Sequence, residues 1–258
     1  MLEGRDAMTV YRCEDSIESI FTAIYLAYEE KRNHEDTCLR LDEEPLLFAE
    51  DIQVVPHPEK VLKVMRTLRT RFGEGNYYDI CMALASYDPM KAQAVYRTVV
   101  LGLRHKVAPG HLFDNLADDD VNKAFKLAKN ASRECHHMLG FLRFEELDNG
   151  ILYARMGPKN NILTFMMPHF ADRLPIENFL VYDVVRNFFA IHPAGKQWYL
   201  LSGNDVELPK ELKLSEKELE YRALFQHFCR SITIRERENW ELQRNMLPLR
   251  FREYMIEF

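Results

Sequence analysis

No two cysteines of this sequence stand close enough together to form a Cys-x-x-Cys motif. The 258 residues include five widely separated cysteines: Cys13, Cys38, Cys81, Cys135 and Cys229. Paired cysteines at short spacing are the usual signature of structural zinc sites and dithiol redox sites. The sequence therefore predicts neither kind of site, and an odd count of isolated cysteines favours a reducing compartment, the cytoplasm.

The sequence also lacks long apolar runs. The stretch at residues 162–167 is among the longest, and it is far shorter than the ~20 residues that a membrane-spanning helix needs. The N-terminus has no basic stretch followed by an apolar segment, which a secretory signal would have. We therefore expect a soluble cytoplasmic protein without a membrane partner.

The chain as a whole has no excess of positive charge. Its 34 lysines and arginines against 40 aspartates and glutamates give a net charge of −6, which excludes a polycation that coats nucleic acid. The distribution is uneven, because residues 1–60 carry fifteen acidic and six basic side chains, whereas residues 61–109 carry three acidic and eight basic ones. The second block is the first candidate for binding a polyanion.

Apolar residues are plentiful. They make up 47% of the chain, enough for a substantial core, and this excludes a disordered or collagen-like protein. The pattern predicts an α+β protein that folds as a single unit over residues 1–258. Within it, we expect a mainly helical part at 1–140, an antiparallel sheet of about five strands with an inserted helix at 141–202, and a C-terminal helical segment and tail at 203–258.

The first 140 residues show mainly helical periodicity. Apolar residues at helical spacing predict helices over residues 16–30, from 58 onward, from 88 to about 106, and over 118–140. Residues 9–12 favour a short strand. Residues 33–58 are polar, acidic and interrupted by three prolines, which predicts an irregular connection with at most a short strand at 52–55. Asp88 is predicted to cap a helix that begins at Pro89.

A change of periodicity after residue 140 predicts strands. Residues 141–147 and 151–156 are strand-like, and the Asp148-Asn149-Gly150 sequence between them is typical of a hairpin. Three more strands are expected at 179–182, 188–192 and 198–201. We place a helix within 162–174, with Pro168 near its start, and a second helix after a capping box of Ser215 and Glu218.

Two groups of cations could bind nucleic acid. The first repeats every third residue on one predicted helix: Lys60, Lys63, Arg66 and Arg69. It could follow phosphates, which would make binding salt-dependent, or it could be a solvated helix face. The second group lies in the tail: Arg235, Arg237, Arg244, Arg250 and Arg252. Aromatic residues between these arginines suit base stacking, but residues 230–258 have a net charge of only +1, so docking against protein is the alternative.

His169, Asp172 and Arg173 form the candidate catalytic group. A helix places residues three and four apart on neighbouring positions, so an imidazole, a carboxylate and a cation could share one place. His169 and Asp172 could then transfer protons, and Arg173 could clamp a phosphate. The alternative is an ion pair at the end of the helix before Pro175.

Two further clusters have structural alternatives. Glu134, Cys135, His136 and His137 resemble a metal-ligand set, but adjacent helical residues point about 100° apart, so packing or surface histidines are favoured and no metal site is predicted. The second cluster depends on a hairpin that would bring His192 and Trp198 beside Tyr182 and Asp183, and core packing of the aromatic residues is its alternative.

Long collinear motifs give the chain a family resemblance. They are HHMLGFLRFEEL (136–147), GILYA (150–154), NNIL (160–163), PHFADRLP (168–175), ENFLVYD (177–183), IHPAGKQW (191–198) and LPLRFREYM (247–255), and FTAIYLAYE (21–29) fits as well. With these motifs the chain resembles a family of small bacterial proteins of DNA metabolism or DNA repair that are encoded beside a radical-SAM protein. The shared segment is a domain of unknown function, which in some members is fused to a uracil-DNA glycosylase-like domain.

This resemblance implies an accessory protein that binds DNA and acts with a radical-SAM partner. The chain lacks the three closely spaced cysteines that hold an iron–sulfur cluster, so we expect the cluster and S-adenosylmethionine only on that partner and no cofactor in this chain. One alternative is a stand-alone enzyme, glycosylase-like, that processes a damaged or modified base with His169 and Asp172. A second is a protein-binding module without affinity for nucleic acid.

Overall fold

A computed structural model describes residues 8–205 and 212–256, apart from the side chain of Arg235. The chain divides into two compact units, residues 1–132 (unit 1) and 133–258 (unit 2), which are described separately. Both contain helices and strands, so the protein is α+β, as predicted. Cooperative folding of the whole chain as a single unit stays a prediction.

Unit 1 combines a small sheet with long helices. Its elements are β1 (Met8–Arg12), α1 (Ile17–Glu29), β2 (Thr37–Arg40), β3 (Ala49–Gln53), α2 (Pro58–Leu84), α3 (Lys91–Arg104) and the first part of α4 (Asp119–Phe141). All three strands are parallel, in the order β2-β1-β3. The prediction of an irregular connection over residues 33–58 was therefore wrong for β2, whereas the short strand expected at 52–55 overlaps the end of β3. Both strands are short, and β3 leaves Glu50 and Asp51 exposed, so neither carries a continuous apolar signal.

Helix α1 begins where its sequence predicts. The Ser16 side chain accepts a hydrogen bond from the Ser19 backbone N–H at 3.1 Å, which caps the helix. The inward face, which includes Ile20, Phe21 and Ile24, is buried. Helix α1 packs against α2, so the apolar faces of both helices help to form the core of unit 1.

Helix α2 is bent at Gly73. This residue has φ +82°, in the left-handed region that favours glycine, and it interrupts the helix after Phe72. The Phe72 ring is buried against Gly102 of α3, where an added Cβ would come within 2.9 Å of the ring. Predicted helix starts are accurate to a few residues: α3 begins at Lys91, and Asp88 caps the preceding turn by accepting from the Met90 N–H at 2.9 Å.

Unit 2 contains a five-stranded sheet. After the end of α4, its elements are β4 (Phe144–Glu146), β5 (Leu152–Met156), α5 (Leu163–Arg173), β6 (Phe179–Asp183), β7 (Phe188–His192), β8 (Tyr199–Ser202), α6 (Glu216–Ser231), α7 (Trp240–Met246) and α8 (Leu249–Arg252). The strands follow each other in chain order, and the predicted hairpin joins β4 to β5. Helix α4 continues to Phe141, so β4 is shorter than predicted, and Pro168 lies in the middle of α5.

The sheet of unit 2 is mixed, which corrects the prediction of a purely antiparallel sheet. Strands β5 and β6 are parallel, with Met156 opposite Asp183, and the other three pairs are antiparallel. A parallel pair needs a crossover between the carboxyl end of one strand and the amino end of the next. Helix α5 is that crossover, and it contacts β7. The inserted helix that the sequence predicts therefore determines the direction of β6.

Among the described residues, no helix is both long and apolar enough to cross a membrane. Residues 206–211, which fall in the predicted C-terminal segment, lie outside the described residues. Beyond them, the predicted cap of α6 is confirmed, because the Ser215 side chain accepts from the Glu218 N–H at 3.0 Å. The second half of the capping box does not form. Instead, the Glu218 carboxylate accepts from the Glu146 N–H at 3.0 Å.

Candidate functional site

Four cations form a diagonal ridge on α2, which we call the α2 ridge: Lys60, Lys63, Arg66 and Arg69. Residues three apart on a helix lie on a row inclined about 45° to its axis, so the ridge crosses the outward side of α2. The nine residue steps from Lys60 to Arg69, at about 1.5 Å each, give the ridge a span of roughly 14 Å along the helix axis. A strand of nucleic acid that crosses α2 obliquely could therefore meet several of these cations.

The first half of the ridge rests on a tyrosine of α1. Lys60 Nζ lies 5.1 Å from the centre of the Tyr25 ring, and Lys63 Nζ lies 5.3 Å from it. Lys63 Nζ also donates to the Tyr25 hydroxyl at 3.3 Å. Lys60 Nζ donates to Glu29 at 2.6 Å, and this hydrogen bond lowers the pKa of Glu29 below its usual value. Glu29 therefore neutralises Lys60, while Lys63 has its ammonium group at the surface.

The second half of the ridge rests on another tyrosine. The guanidinium of Arg69 lies 4.5 Å from the centre of the Tyr77 ring and pairs with Glu74 at 3.5 Å. Desolvation by burial raises the pKa of Tyr77 above its usual value, so this side chain stays neutral. Arg66 is exposed between the two anchored ends. Lys63 and Arg66 are thus the members of the ridge best placed to meet an anion from solvent.

An apolar cavity of about 230 Å³ opens beside Lys63. Its walls include Tyr25, Tyr28 and Leu68, so a flat apolar group could enter next to a cation. Prediction from the sequence identified the cations of this region but missed Tyr25 and Tyr77. Helical spacing places both tyrosines near the ridge only after the contact of α1 with α2 and the bend at Gly73 are known.

The described tail arginines make different contacts. Arg237 lines a depression beside Trp240, and Arg244 Nε lies 3.4 Å from the Trp240 carbonyl oxygen. Arg250 pairs with Glu134 at 3.1 Å, and its guanidinium covers the Phe251 ring. Arg252 is half-buried. Arg235 begins a 3-10 turn, and its side chain lies outside the described residues.

Glu134 has a structural role that its metal interpretation did not anticipate. It is 3% exposed, and its carboxylate accepts from the backbone N–H groups of Lys159 and Asn160, at 3.1 and 2.8 Å, and from the Asn160 amide at 2.6 Å. These contacts, with that of Arg250, occupy the carboxylate. Neighbouring His137 packs its ring edge against Phe251, and burial lowers its pKa. Over residues 8–205 and 212–256, no three metal-ligating side chains cluster as a metal site would require.

The loop after β5 is held from a second side by Asp183 and Arg186. Arg186 donates to the carbonyl oxygens of Pro158 and Lys159 and pairs with buried Asp183 at 3.2 Å. Burial raises the pKa of Asp183 above its usual value, although Arg186 opposes this effect. The sequence pointed to Asp183 but gave no sign of the role of Arg186. These contacts of Arg186 hold the loop between β5 and α5 at the carboxyl ends of the parallel strands.

The grouping of His192 with Asp183, one of the two interpretations that the sequence left open, does not form. Strand β7 runs antiparallel to β6, so His192 lies opposite Phe179, at the far end of the hairpin from Asp183. The His192 ring stacks on Phe179 at 4.6 Å, and its Nδ1 is 3.0 Å from the Glu177 carbonyl oxygen. These contacts support core packing, the alternative interpretation of this histidine.

Helix α5 brings two members of the candidate catalytic group to one groove. His169 and Arg173 line an open, mainly apolar groove of about 500 Å³ together with Phe144 and Phe170. Asp172 is exposed and is not among the residues that line it. The groove could hold a flat apolar ligand beside an imidazole and a guanidinium, but without the carboxylate that was expected to assist.

The larger part of the chain matches the model of a known family. A family model for DUF4130, a domain of unknown function, matches residues 89–257, well over half of the sequence. That range contains α3, α4 and the described elements of unit 2. The resemblance drawn from the sequence is confirmed at this level, as a domain of unknown function. No curated protein matches the chain.

Proposed function

The chain belongs to the DUF4130 family, which is defined by a domain of unknown function, and we propose that it is an accessory protein of DNA metabolism that binds DNA and acts with a radical-SAM partner. The partner supplies the iron–sulfur cluster and S-adenosylmethionine, because this chain has no closely spaced cysteines that could hold a cluster. The role of this chain is then to hold the nucleic acid.

The α2 ridge is the observation that carries the proposal. Its cations are spread along roughly 14 Å of the outward side of α2, and two of them, Lys63 and Arg66, are exposed at the surface. Phosphate contacts of this kind give affinity without sequence preference, because each neutralised phosphate releases counterions. A protein that presents DNA to a partner enzyme needs this type of binding rather than the readout of particular bases.

A salt titration of DNA binding tests the ridge. We expect the double variant Lys63→Ala/Arg66→Ala to bind a short labelled duplex less tightly at low salt, and the slope of log affinity against log salt to fall by about 2 in magnitude. The matched control is Lys126→Ala/Lys129→Ala, which removes two exposed lysines three apart from α4. Equal losses in both variants, or no DNA binding by the wild type at low salt, would contradict the proposal.

The same titration, repeated with the radical-SAM protein, tests the partnership. We expect the two proteins together to bind DNA more tightly than either alone, with the increase lost in the Lys63→Ala/Arg66→Ala variant. If the partner binds this chain while DNA does not, the protein is the interaction module without nucleic-acid affinity that the sequence left open.

The groove beside α5 favours a second candidate, a stand-alone enzyme that acts on an unstacked base. Phe144, Phe170 and Arg173 could contact the flat faces of a base, and His169 could donate or accept a proton. The test is turnover of damaged oligonucleotides by the isolated chain. Product formation that His169→Ala abolishes, while Asp172→Ala retains it, would favour this enzyme over the accessory role.

A further inference from the structure

A second cavity, of about 210 Å³, lies beside the apolar cavity of unit 1. Leu103 of α3 lines both cavities, so they meet at this side chain and form one groove between α2 and α3, which we call the α2–α3 groove. Each cavity alone is smaller than the ~300 to 1,000 Å³ of a typical ligand site, but together they reach that range. The groove is therefore large enough for a small molecule.

Regular helical spacing places side chains along this groove. Lys63, Thr67 and Arg71 follow each other at intervals of four residues on α2, so they form one row on its surface. Leu103 in the last turn of α3 and Lys106 just beyond that helix border the opposite side. Because α2 packs against α3, the two sets of side chains face the same groove.

One end of the groove is apolar and aromatic. Tyr25 and Tyr28 lie three residues apart on α1 and form part of its wall, together with Leu68 and Val99. Burial raises the pKa of Tyr28 to about 12, so its hydroxyl stays neutral. Among the described residues that line this end, Lys63 is the only charged one. A wall of this kind accepts a flat, uncharged ring system, which aromatic side chains hold by stacking.

The other end of the groove is polar and cationic. Arg71 and Lys106 line it, together with Thr70. Both cations are exposed, and neither forms an ion pair within the part of the chain that the structure describes, whereas neighbouring Arg69 pairs with Glu74. The described residues that line this end include no acidic side chain. Two cations that flank one cavity suit a phosphate, whose oxygens accept charge-assisted hydrogen bonds.

Lys106 has a backbone conformation that usually belongs to glycine. Its φ is +50°, and it stands at the position after α3 where a helix usually ends with glycine. The Lys106 N–H donates to the Leu103 carbonyl oxygen at 3.3 Å, and the Val107 N–H donates to the Gly102 carbonyl oxygen at 3.0 Å, as in a Schellman motif. A side chain is strained here, and such strain is concentrated at binding sites. The position of Lys106 beside the cationic cavity gives its side chain a role in binding.

The spacing of the two ends fits one nucleotide. On α2, residues 63–68 contribute to the apolar end and residues 70–72 to the cationic end. The midpoints of these two stretches lie about five to six residues apart, which at about 1.5 Å per residue is roughly 8 Å along the helix axis. A nucleoside monophosphate has a similar extent from the middle of its base to its phosphate. The base and the phosphate can therefore occupy the two ends at the same time.

We propose that the α2–α3 groove binds a nucleoside monophosphate unit, with the base beside Tyr25 and Tyr28 and the phosphate between Arg71 and Lys106. The unit is either a free nucleotide or an unstacked nucleotide of a single strand. The inference deepens the proposed function, on which its strand form rests, because Lys63 belongs both to the α2 ridge and to the wall of the groove. The free-nucleotide form does not depend on DNA binding.

Calorimetry of the full chain with three small probes tests whether both ends of the groove take part. We expect deoxyadenosine monophosphate to bind. Deoxyadenosine lacks the phosphate and inorganic phosphate lacks the base, so each should bind at least about tenfold more weakly. Equal affinity for inorganic phosphate would reduce the site to a simple anion contact and overturn the proposal. Equal affinity for deoxyadenosine would overturn it as well, because the two cations would then have no role.

Variants of the groove locate the ligand. Arg71→Ala and Lys106→Gly should each weaken nucleotide binding by about tenfold, whereas Lys126→Ala, which removes an exposed cation of α4, should not. Leu103→Trp fills the junction of the two cavities and should prevent binding, whereas Leu103→Met, of similar volume, should retain it. Because glycine relieves the left-handed strain, Lys106→Gly should leave the thermal unfolding temperature unchanged or raise it, which separates a binding role from a structural one. Unchanged nucleotide binding in Arg71→Ala and Lys106→Gly would overturn the proposal.

Anisotropy of a short labelled single strand distinguishes the two sources of the nucleotide. If the strand is the source, Leu103→Trp should weaken its binding by about tenfold, Leu103→Met should not, and deoxyadenosine monophosphate should compete with it. If the free nucleotide is the source, Leu103→Trp should prevent only the binding of deoxyadenosine monophosphate. If neither probe depends on Leu103, the proposal is wrong. Duplex binding by the α2 ridge is a separate measurement, so either proposal can fail while the other is supported.

Discussion

Helices α2 and α6 are both amphipathic, but α2 covers its apolar side and α6 covers its polar side. Helix α2 buries Val64, Leu68 and Phe72 and exposes cations, whereas α6 attaches its polar side to unit 2 and exposes Leu224 and Phe228. The two sequences show similar periodicity, so periodicity alone does not say which side is covered. Helix α2 therefore contributes its apolar side to the core of unit 1 and presents a charged side to solvent, whereas α6 presents its apolar side to solvent.

Truncation of one phenylalanine on each helix tests this difference in orientation, and it should give the largest effect on stability. Phe72→Ala removes a ring that is 1% exposed and should lower the free energy of unfolding of unit 1 by about 3 to 5 kcal/mol. Phe228→Ala, at 53% exposure, should change the stability of unit 2 by no more than about 0.5 kcal/mol. Urea denaturation at low protein concentration measures both, and similar losses would contradict the orientation of α6.

Glu134 should account for more of the stability of unit 2 than the apolar stripe of α6 does. Glu134→Ala leaves the backbone N–H groups of Lys159 and Asn160 without their acceptor and should cost about 2 to 4 kcal/mol. Arg250→Ala serves as the control and should cost less, since Arg250 is 38% exposed. The same urea titrations measure both variants. If Arg250→Ala costs more stability than Glu134→Ala, the hydrogen bonds of Glu134 to the loop backbone are not its main contribution.

A lower pH should change the contributions of His34 in unit 1 and Asp183 in unit 2 to stability in opposite directions. These are the smallest changes in stability that we expect. Burial and then Arg104 lower the pKa of His34 in unit 1 below its ordinary 6.5, so its contribution to stability is present above pH 6.5 and is lost as the pH falls through the lowered value. Burial raises the pKa of Asp183 above its ordinary 3.8, so its contribution is fullest below pH 3.8 and is lost as the pH rises.

The matched variants are His34→Gln and Asp183→Asn. Relative to His34→Gln, the wild type should lose stability between pH 7 and pH 5. Relative to Asp183→Asn, it should lose stability as the pH rises from about 3.8. Thermal unfolding across pH checks both differences, and a wild type that gains on His34→Gln upon acidification would reverse the assigned pKa direction.

Local signals in the sequence were sufficient to predict much of the fold. The Asp148-Asn149-Gly150 turn predicts the hairpin of β4 and β5, and apolar runs predict β6, β7 and β8. Strand β2 escaped prediction, and only the end of β3 was expected, because both strands are short and pair with residues far away in the chain. The parallel direction of β6 escaped as well, since strand pairing is not encoded in the periodicity of one strand.

The candidate sites were predictable only as residue types. Cations at every third residue identify the α2 ridge, but Tyr25 and Tyr77, which support it, depend on tertiary packing. The structural role of Glu134 could not be read from the sequence, because the backbone groups that it binds lie 25 and 26 residues away. The inverted orientation of α6 is equally hidden, because an apolar stripe has the same spacing whether it faces a core or a partner.

The single parallel pair in the sheet of unit 2 has a consequence for the order of folding. Strands β6, β7 and β8 join neighbours through short turns, so their contacts are local and close quickly. Strand β5 meets β6 only after the whole α5 crossover is in position, and this contact carries a greater loop-closure entropy. We expect the β6–β8 meander to assemble early, and the unpaired edge of β6 to be the point at which newly made chains are most open to aggregation.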